Sequence, residues 1–278
     1  MQNLKTISRL LRGDQWFKNL VIFAPLLFAS NQNIYPIDKL IIGFLGFCSV
    51  SSITYIINDW LDRKKDRLHP IKKNRPLASG KITGRQAIIV VIILALMATS
   101  VSLLLGLYYG LIVSTYFIFT NLYSLGLKNI PLVDILMVSG NFILRMASGL
   151  NSIPNINTLP YFGILFGLLI VFLTHKRRSD IKLLGEKAIA HKPVLKFYTI
   201  RNNYFFRGIG YLIAIVSFYK FYESGFSIYK SIGLFFMLAV TSIIFSDNPE
   251  YTSKPQWLFR SKLWVSVLII NILLFVFL

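Results

Sequence analysis

Asn58, Asp59, Asp62 and Asp66 lie in the string N-D-W-L-D-R-K-K-D-R-L-H-P, where a long apolar run gives way to a dense series of Lys and Arg. Aspartates at i, i+3 and i+7 share one side of an α-helix. Three carboxylates on one stripe repel each other unless a cation lies among them. Hard oxygen ligands of this kind suit Mg²⁺, which keeps several waters and takes further ligands from a substrate's phosphates. Lys72, Lys73 and Arg75 follow closely, and a diphosphate is best held by metal and cationic side chains together. The chain has 11 acidic residues against 30 Lys and Arg. Three of those acids on one helix face read as a Mg²⁺–diphosphate site. The competing reading is a solvated helix end, salt-bridged to Arg63 and Arg67.

A second cluster, His175, Lys176, Arg177, Arg178 and Asp180, also closes an apolar run. It stands in the second half of the chain where the aspartate stripe stands in the first. The two loops together are suited to clamping a polyanionic substrate. Asp134 and Arg145 lie inside a third apolar run, where ionisable groups are costly and face a cavity or a partner. They are eleven residues apart, about 16 Å along a helix axis, so each is expected to pair elsewhere. Arg145 then meets either a lipid phosphate or another helix. Lys18 beside Trp16, and Tyr123 with Lys128, flank membrane boundaries, where snorkelling anchors compete with substrate contacts. His69, His175 and His191 show no ligand spacing, and no zinc or haem site is expected. Cys48, alone in an apolar run, excludes a disulfide framework and reads as a packed small residue.

The elements that carry these groups are membrane helices. Of the 278 residues, 55% are hydrophobic, and apolar runs of roughly 18 or more residues recur. The spacing predicts an all-α polytopic membrane protein with nine spans. They fall at about 17–36, 38–57, 84–104, 107–125, 131–150, 158–175, 206–222, 226–246 and 261–278. The basic residues gather in alternate loops: Arg63 to Lys81 after span two, Lys128 after span four, Lys176 to Arg207 after span six. The intervening loops hold little beyond Lys39, Lys220 and Lys230. By the positive-inside rule the N-terminus and the basic loops face the cytoplasm, in the inner membrane. That rule, with anionic lipid headgroups, accounts for the net charge of +19 without any nucleic acid partner. No cleavable signal peptide is expected. Residues 1–278 read as one transmembrane domain with cytoplasmic loops at about 58–83 and 176–205. A homo-oligomer is compatible with these residues but not required by them.

The N-D-x-x-D-x-x-x-D stripe, the nine spans and the polar loop after span six resemble the UbiA superfamily of intramembrane prenyltransferases. Within it the nearer resemblance is to the branch typified by decaprenyl-phosphate phosphoribosyltransferase. It rests on Q-W-x-K-N (Gln15, Trp16, Lys18, Asn19), D-R-x-H-P (Asp66 to Pro70) and R-P-x-A-x-G (Arg75 to Gly80). It continues through Tyr123 to Lys128, Val133 to Ile135, Leu144 to Gly149, and Lys176, Arg177 and Asp180, where Asp180 replaces a Glu. The likeness covers about residues 10–200, and the last three spans are similar only in a general way. It implies Mg²⁺-dependent transfer of 5-phosphoribosyl from phosphoribosyl diphosphate to a polyprenyl phosphate in the bilayer. Asp59, Asp62 and Asp66 would hold the metal, oriented with Asn58. Lys72 and Arg75 would stabilise the leaving diphosphate. Lys18, Tyr123, Lys128, Arg145, Lys176, Arg177 and Asp180 would bind substrate. A lone Asp180 among cations suits an anionic phosphate better than a second metal. Two other readings compete. One is prenyl transfer from a prenyl diphosphate to an aromatic acceptor. The other is a transporter lined by Asp134 and Arg145, against which stands the near absence of charge in the outer half.

Overall fold

The structure is a computed structural model that describes residues 2–28, 37–68, 72–150, 159–185, 188–189, 192–223 and 261–277, with the side chains of 2–4 and 271–277 outside the description. All elements among the described residues are helical. The main ones, besides short 3₁₀ turns at Lys72–Asn74, Leu127–Asn129 and Pro193–Phe197, are α1 (Gln2–Leu11), a 3₁₀ segment Gly13–Phe28, α2 (Ile37–Arg67), α3 (Gly84–Leu105), α4 (Leu107–Leu125), α5 (Val133–Leu150), α6 (Leu159–Leu184), α7 (Ile200–Glu223) and α8 (Lys262–Phe277). By length and composition α2, α3, α5 and α6 can each cross a membrane. The chain is therefore an all-α integral membrane protein, with helices where seven of the nine expected spans lie. The expected first span instead begins as the 3₁₀ segment, which contains Pro25. Proline gives up a backbone donor, so it is poorly suited to continuous α-helix. Residues 226–246 and the loop at 247–258 lie outside the described residues, as do His69, Pro70 and His191.

Two compact units divide the chain. The first comprises Met1–Leu125 with Leu144–Ile156, the second Gly126–Ile143 with Asn157–Leu278. In the first, Leu10 of α1, Ile53 and Ile56 of α2, Leu77, and Ala87 and Leu94 of α3 form one buried cluster. Only 11% of the apolar window of α3 is buried. Its Ile88, Ile89, Ile92, Ile93 and Leu96 point outward, as expected of a helix whose solvent is hydrocarbon. Thr83 starts α3 with a full capping box, its hydroxyl accepting from the Gln86 amide and the Gln86 side chain accepting from the Thr83 amide. This fixes where the loop after α2 must return to the bundle.

In the second unit α6 and α7 pack through small residues. A Cβ on Gly167 would sit 2.5 Å from the Gly210 carbonyl oxygen, and one on Gly210 would sit 2.8 Å from the Gly167 oxygen. Close backbone approach of this kind supplies the packing that apolar surface burial does not provide between helices in lipid. Ile135 of α5, Ile170 and Leu173 of α6, and Val194 and Tyr198 beyond α6 close a second core. That core draws the segment after α6 against the start of α5.

Candidate functional site

The basic C-terminal end of α2 builds the first cluster. Seven residues advance an α-helix to within about 20° of two full turns, whereas three residues stop about 60° short of one. Accordingly Asp59 and Asp66 are both buried, and Asp62 is exposed on the flank. Arg75 donates from one guanidinium nitrogen to Oδ1 of Asp59 at 3.0 Å and to Oδ2 of Asp66 at 2.7 Å. Arg12 donates to the same Asp59 oxygen at 2.5 Å. The bridging cations are thus Arg75 and Arg12, not the sequence neighbours Arg63 and Arg67. Arg63 turns to the Trp60 carbonyl and lies 4.0 Å over its ring. Arg67 donates to the Ala78 carbonyl at 3.1 Å and pins the R-P-L-A-S-G turn, whose Leu77 and Ala78 are buried.

Arg12 reaches Asp59 because the chain adopts φ 51 there, between α1 and the 3₁₀ segment. This left-handed conformation is costly for a non-glycine residue. The guanidinium also lies 4.7 Å over the Tyr55 ring. The 3₁₀ segment is tied to α2 by Trp16, whose ring N–H donates to Ser52 Oγ at 3.1 Å. Asn19 donates to Ser51 Oγ at 3.1 Å and accepts from Arg145 Nε at 2.7 Å. Arg145, 4% exposed, also donates to the Tyr116 hydroxyl at 2.8 Å. In the first unit, then, Arg145, Asn19 and Ser51 form one bonded polar group along α2, and Arg12, Asp59 and Arg75 form another. The Q-W-x-K-N string serves it through Trp16 and Asn19. Lys18, Asn58, Lys72 and Tyr123 are half-buried in the same unit.

No three His, Cys, Asp or Glu side chains converge on a metal position among the described residues. The donor set nonetheless fits a Mg²⁺ that keeps most of its waters. The guanidinium bonds occupy one oxygen of Asp59 and one of Asp66. The second oxygen of each carboxylate, with Asp62 on the flank, remains for a hydrated cation carrying a diphosphate. An apolar cleft of about 660 Å³ lies between α2, α3 and α4, lined by Ile53, Ile57, Val91, Ala98, Val113 and Phe117 among others. Ile57 directly precedes Asn58, so this lining begins one residue before the polar cluster.

The second unit carries a different arrangement. Asp134, fully buried in the first turn of α5, accepts from Arg177 Nε at 2.8 Å through Oδ2 and from the Tyr198 hydroxyl through Oδ1. A carboxylate is favoured at a helix N-terminus by the exposed amides there. Lys192 Nζ lies 3.6 Å from the same Oδ2, and Arg177 NH1 lies 3.7 Å from Asp180. Asp134 and Arg145 thus pair elsewhere, as their separation requires. Lys128 and Lys176 are half-buried, as is Asp180. His175 is buried, and its Nε2 makes no hydrogen bond among the described residues. Burial, then the bond to Asp134, pushes the Tyr198 phenol up, so that it stays protonated and donates. Burial, then Arg177, pulls Lys192 down to about 8. Sequence reasoning overlooked Arg12, Tyr116, Lys192 and Tyr198. Arg12 and Lys192 look like topology signal in a basic chain, and the two tyrosines sit in aromatic-rich runs.

The chain is thus a membrane-type helical protein with a buried carboxylate–guanidinium cluster at the end of α2. Residues 19–266 match the UbiA prenyltransferase family, and the chain belongs to that family, whose members are transferases. It is 32% identical over 163 residues to an uncharacterized protein, y4nM, of Sinorhizobium fredii, covering 58% of this chain and 31% of that one. It is 30% identical over 195 residues to the decaprenyl-phosphate phosphoribosyltransferase of Corynebacterium glutamicum, covering 68% of this chain and 58% of that enzyme. The chain therefore spans less than two thirds of the length of these relatives. Among solved structures, one of a digeranylgeranylglyceryl phosphate synthase has a TM-score of 0.70 at 22% identity, covering 99% of this chain and 98% of that one. A UbiA homologue from Archaeoglobus fulgidus bound to GPP and Mg²⁺ has a TM-score of 0.67 at 18% identity, covering 97% and 96%.

Proposed function

We propose that this protein transfers 5-phosphoribosyl from phosphoribosyl diphosphate to a polyprenyl phosphate, releasing diphosphate. The observation that carries this reading is the unequal make-up of the two polar clusters. The first offers the carboxylates Asp59, Asp62 and Asp66 in front of Arg12 and Arg75. The second offers Lys176, Arg177 and Lys192 around Asp134 and Asp180. A carboxylate-rich cluster suits a metal-bound diphosphate, and a cation-rich one suits a phosphate ester. The similarity to the Corynebacterium glutamicum enzyme supports the same substrates.

Asp59, Asp62 and Asp66 hold the metal, with Asn58 orienting the diphosphate. Mg²⁺, when bound, supplies Lewis-acid neutralisation of the leaving group. Arg75 and Lys72 place positive charge where the departing diphosphate gains negative charge, the electrostatic contribution that usually dominates such steps. An oxygen of the lipid phosphate forms the new bond to the anomeric carbon as the carbon–diphosphate bond breaks, and the electron pair leaves with diphosphate. The nucleophile is already an anion and needs no strong base. Lys18, Lys128, Arg145, Lys176 and Arg177 serve the two phosphate groups of the substrates, and Tyr123 and Asp180 complete the substrate-binding set. The apolar cleft beside α2 receives part of the prenyl chain. In this reading the active site faces the cytoplasm from the inner membrane, where soluble phosphosugars are available, and residues 1–278 act as one transmembrane domain.

The test is incubation of membranes with labelled phosphoribosyl diphosphate and polyprenyl phosphate, with and without Mg²⁺. Label is expected in the lipid fraction only with the metal. Folded protein that moves no label, yet prenylates an aromatic acid from a prenyl diphosphate, would replace this reading with the aromatic prenyltransferase.

A further inference from the structure

Asp134 is fully buried yet stands outside the residues that the reaction above uses. It gathers three groups. Arg177 Nε and Lys192 Nζ stand 2.8 and 3.6 Å from Oδ2, and the Tyr198 hydroxyl bonds Oδ1. The Arg177 contact is a full hydrogen bond. The Lys192 contact is too long for one, and the Lys192 ammonium donates no hydrogen bond among the described residues. Its side chain is only 20% exposed, and its ion-pair partner among the described residues is Asp134 alone. Lysine carries three donors and no acceptor, and an incompletely satisfied buried ammonium gains from any anion that reaches it.

Lys192 is held in that position from several sides. Its backbone amide donates to the Ala188 carbonyl at 2.9 Å. The next five residues, Pro193–Phe197, form a 3₁₀ turn whose Val194 and Leu195 are buried. Tyr198, fully buried, then closes on Asp134. The charged groups facing Lys192 are Arg177, Lys176 and Asp180 from α6 and Asp134 from α5. Among the described residues three cations thus face two carboxylates, one of which is spent on Tyr198 and Arg177, an arrangement that favours an incoming anion.

We propose that Lys192 is a binding residue for a phosphate ester group of a substrate, and that Asp134 is the positioning residue that holds Lys192 and Arg177 toward it. The class of ligand is a phosphate ester, which belongs either to the soluble phosphosugar or to the lipid headgroup. This inference deepens the proposed function and rests on it for the choice of those two ligands.

The experiment measures direct binding, without turnover, of ribose 5-phosphate and separately of a short-chain polyprenyl phosphate to the purified full chain in detergent. Lys192→Met is expected to weaken one of the two at least tenfold while leaving the other within about threefold. Lys192→Arg should restore the lost affinity to within about threefold, because Arg keeps a cation there. The affected ligand identifies the source of the phosphate. A pH series gives a readout that mere packing would not move. The second phosphate ionisation lies near pH 6, so ligand charge is constant above about pH 7.5. Wild-type affinity should then fall as pH rises through about 8, where Lys192 loses its proton. Lys192→Arg should show no such fall, since Arg stays charged. Asp134→Asn should weaken the same ligand as Lys192→Met, and where it does not fold, the two Lys192 variants decide alone. The proposal is overturned if neither ligand binds the wild type, if both retain wild-type affinity in Lys192→Met, or if the pH series of wild type and Lys192→Arg coincide. Binding that behaves as expected in a protein that transfers no phosphoribosyl would overturn the proposed reaction and leave this site standing.

Discussion

Arg75 spans two buried carboxylates with one guanidinium nitrogen, and its removal would leave Asp59 and Asp66 facing each other across a part-buried space. Arg75→Ala is expected to cost roughly 2 kcal/mol of stability, the penalty for stranding buried charge, and to lower transfer about 100-fold or more. Arg75→Lys should recover part of both, because a single nitrogen makes the two contacts and an ammonium carries three donors. Thermal unfolding in detergent and a transfer assay check both. Asp59→Asn and Asp66→Asn should each abolish transfer, and unchanged rates would reduce the stripe to a solvated helix end. At Lys192 the sign of the pH effect follows from its lowered value. Between about pH 8 and its ordinary 10.5 the unfolded chain binds a proton that the folded chain does not. Stability from this group therefore rises with pH across that window. Lys192→Met should thus be more stable than wild type at pH 7, with the difference shrinking toward pH 10. The shared face of Asp59 and Asp66 was readable in the sequence because it depends on helix period alone, whereas Asp62 falls on the exposed flank. The partners of that face were not, since Arg12 lies 47 positions from Asp59 and only packing of α1 on α2 joins them.

Helix-level packing separates glycines that look alike in the sequence. Gly208 and Gly210 sit two positions apart in α7. Nothing lies within 4 Å of a Cβ added at Gly208, whereas one at Gly210 meets the Gly167 carbonyl oxygen at 2.8 Å. Gly208→Ala should be neutral or stabilise by up to about 1 kcal/mol, the helix-propensity difference. Gly210→Ala should destabilise by about 1–3 kcal/mol through overpacking. Unfolding curves of the two variants in the same detergent decide it. Apolar period and length reveal that α6 and α7 exist; which glycine faces which backbone depends on the rotation of each helix about its axis. The 3₁₀ segment makes the same point. Its apolar composition reads as a span, but Pro25 and the bonds from Trp16 and Asn19 to α2 shape it as a polar-anchored strap.

For the whole molecule the test concerns orientation. Cys48 is the single cysteine, so a Cys48→Ser background gives a clean scaffold for topology mapping. Lys81→Cys should react with a membrane-impermeant maleimide only from the cytoplasmic side, and Lys39→Cys only from the other. The reverse pattern would place the aspartate cluster outside the cell. Hydropathy by itself determines an all-α membrane protein, because it reflects transfer of side chains into hydrocarbon residue by residue, and the Lys/Arg bias of the loops gives its expected orientation. The aspartate spacing likewise reports a helix face. Only the tertiary structure decided that Arg12 and Arg75 neutralise Asp59 and Asp66, that Asn19 and Tyr116 hold Arg145, and that Asp134 gathers Arg177, Lys192 and Tyr198. Most of those pairings join distant groups, Arg12 with Asp59 across 47 positions and Arg145 with Asn19 across 126, and a charge cannot show in sequence which partner the packing of helices will bring close.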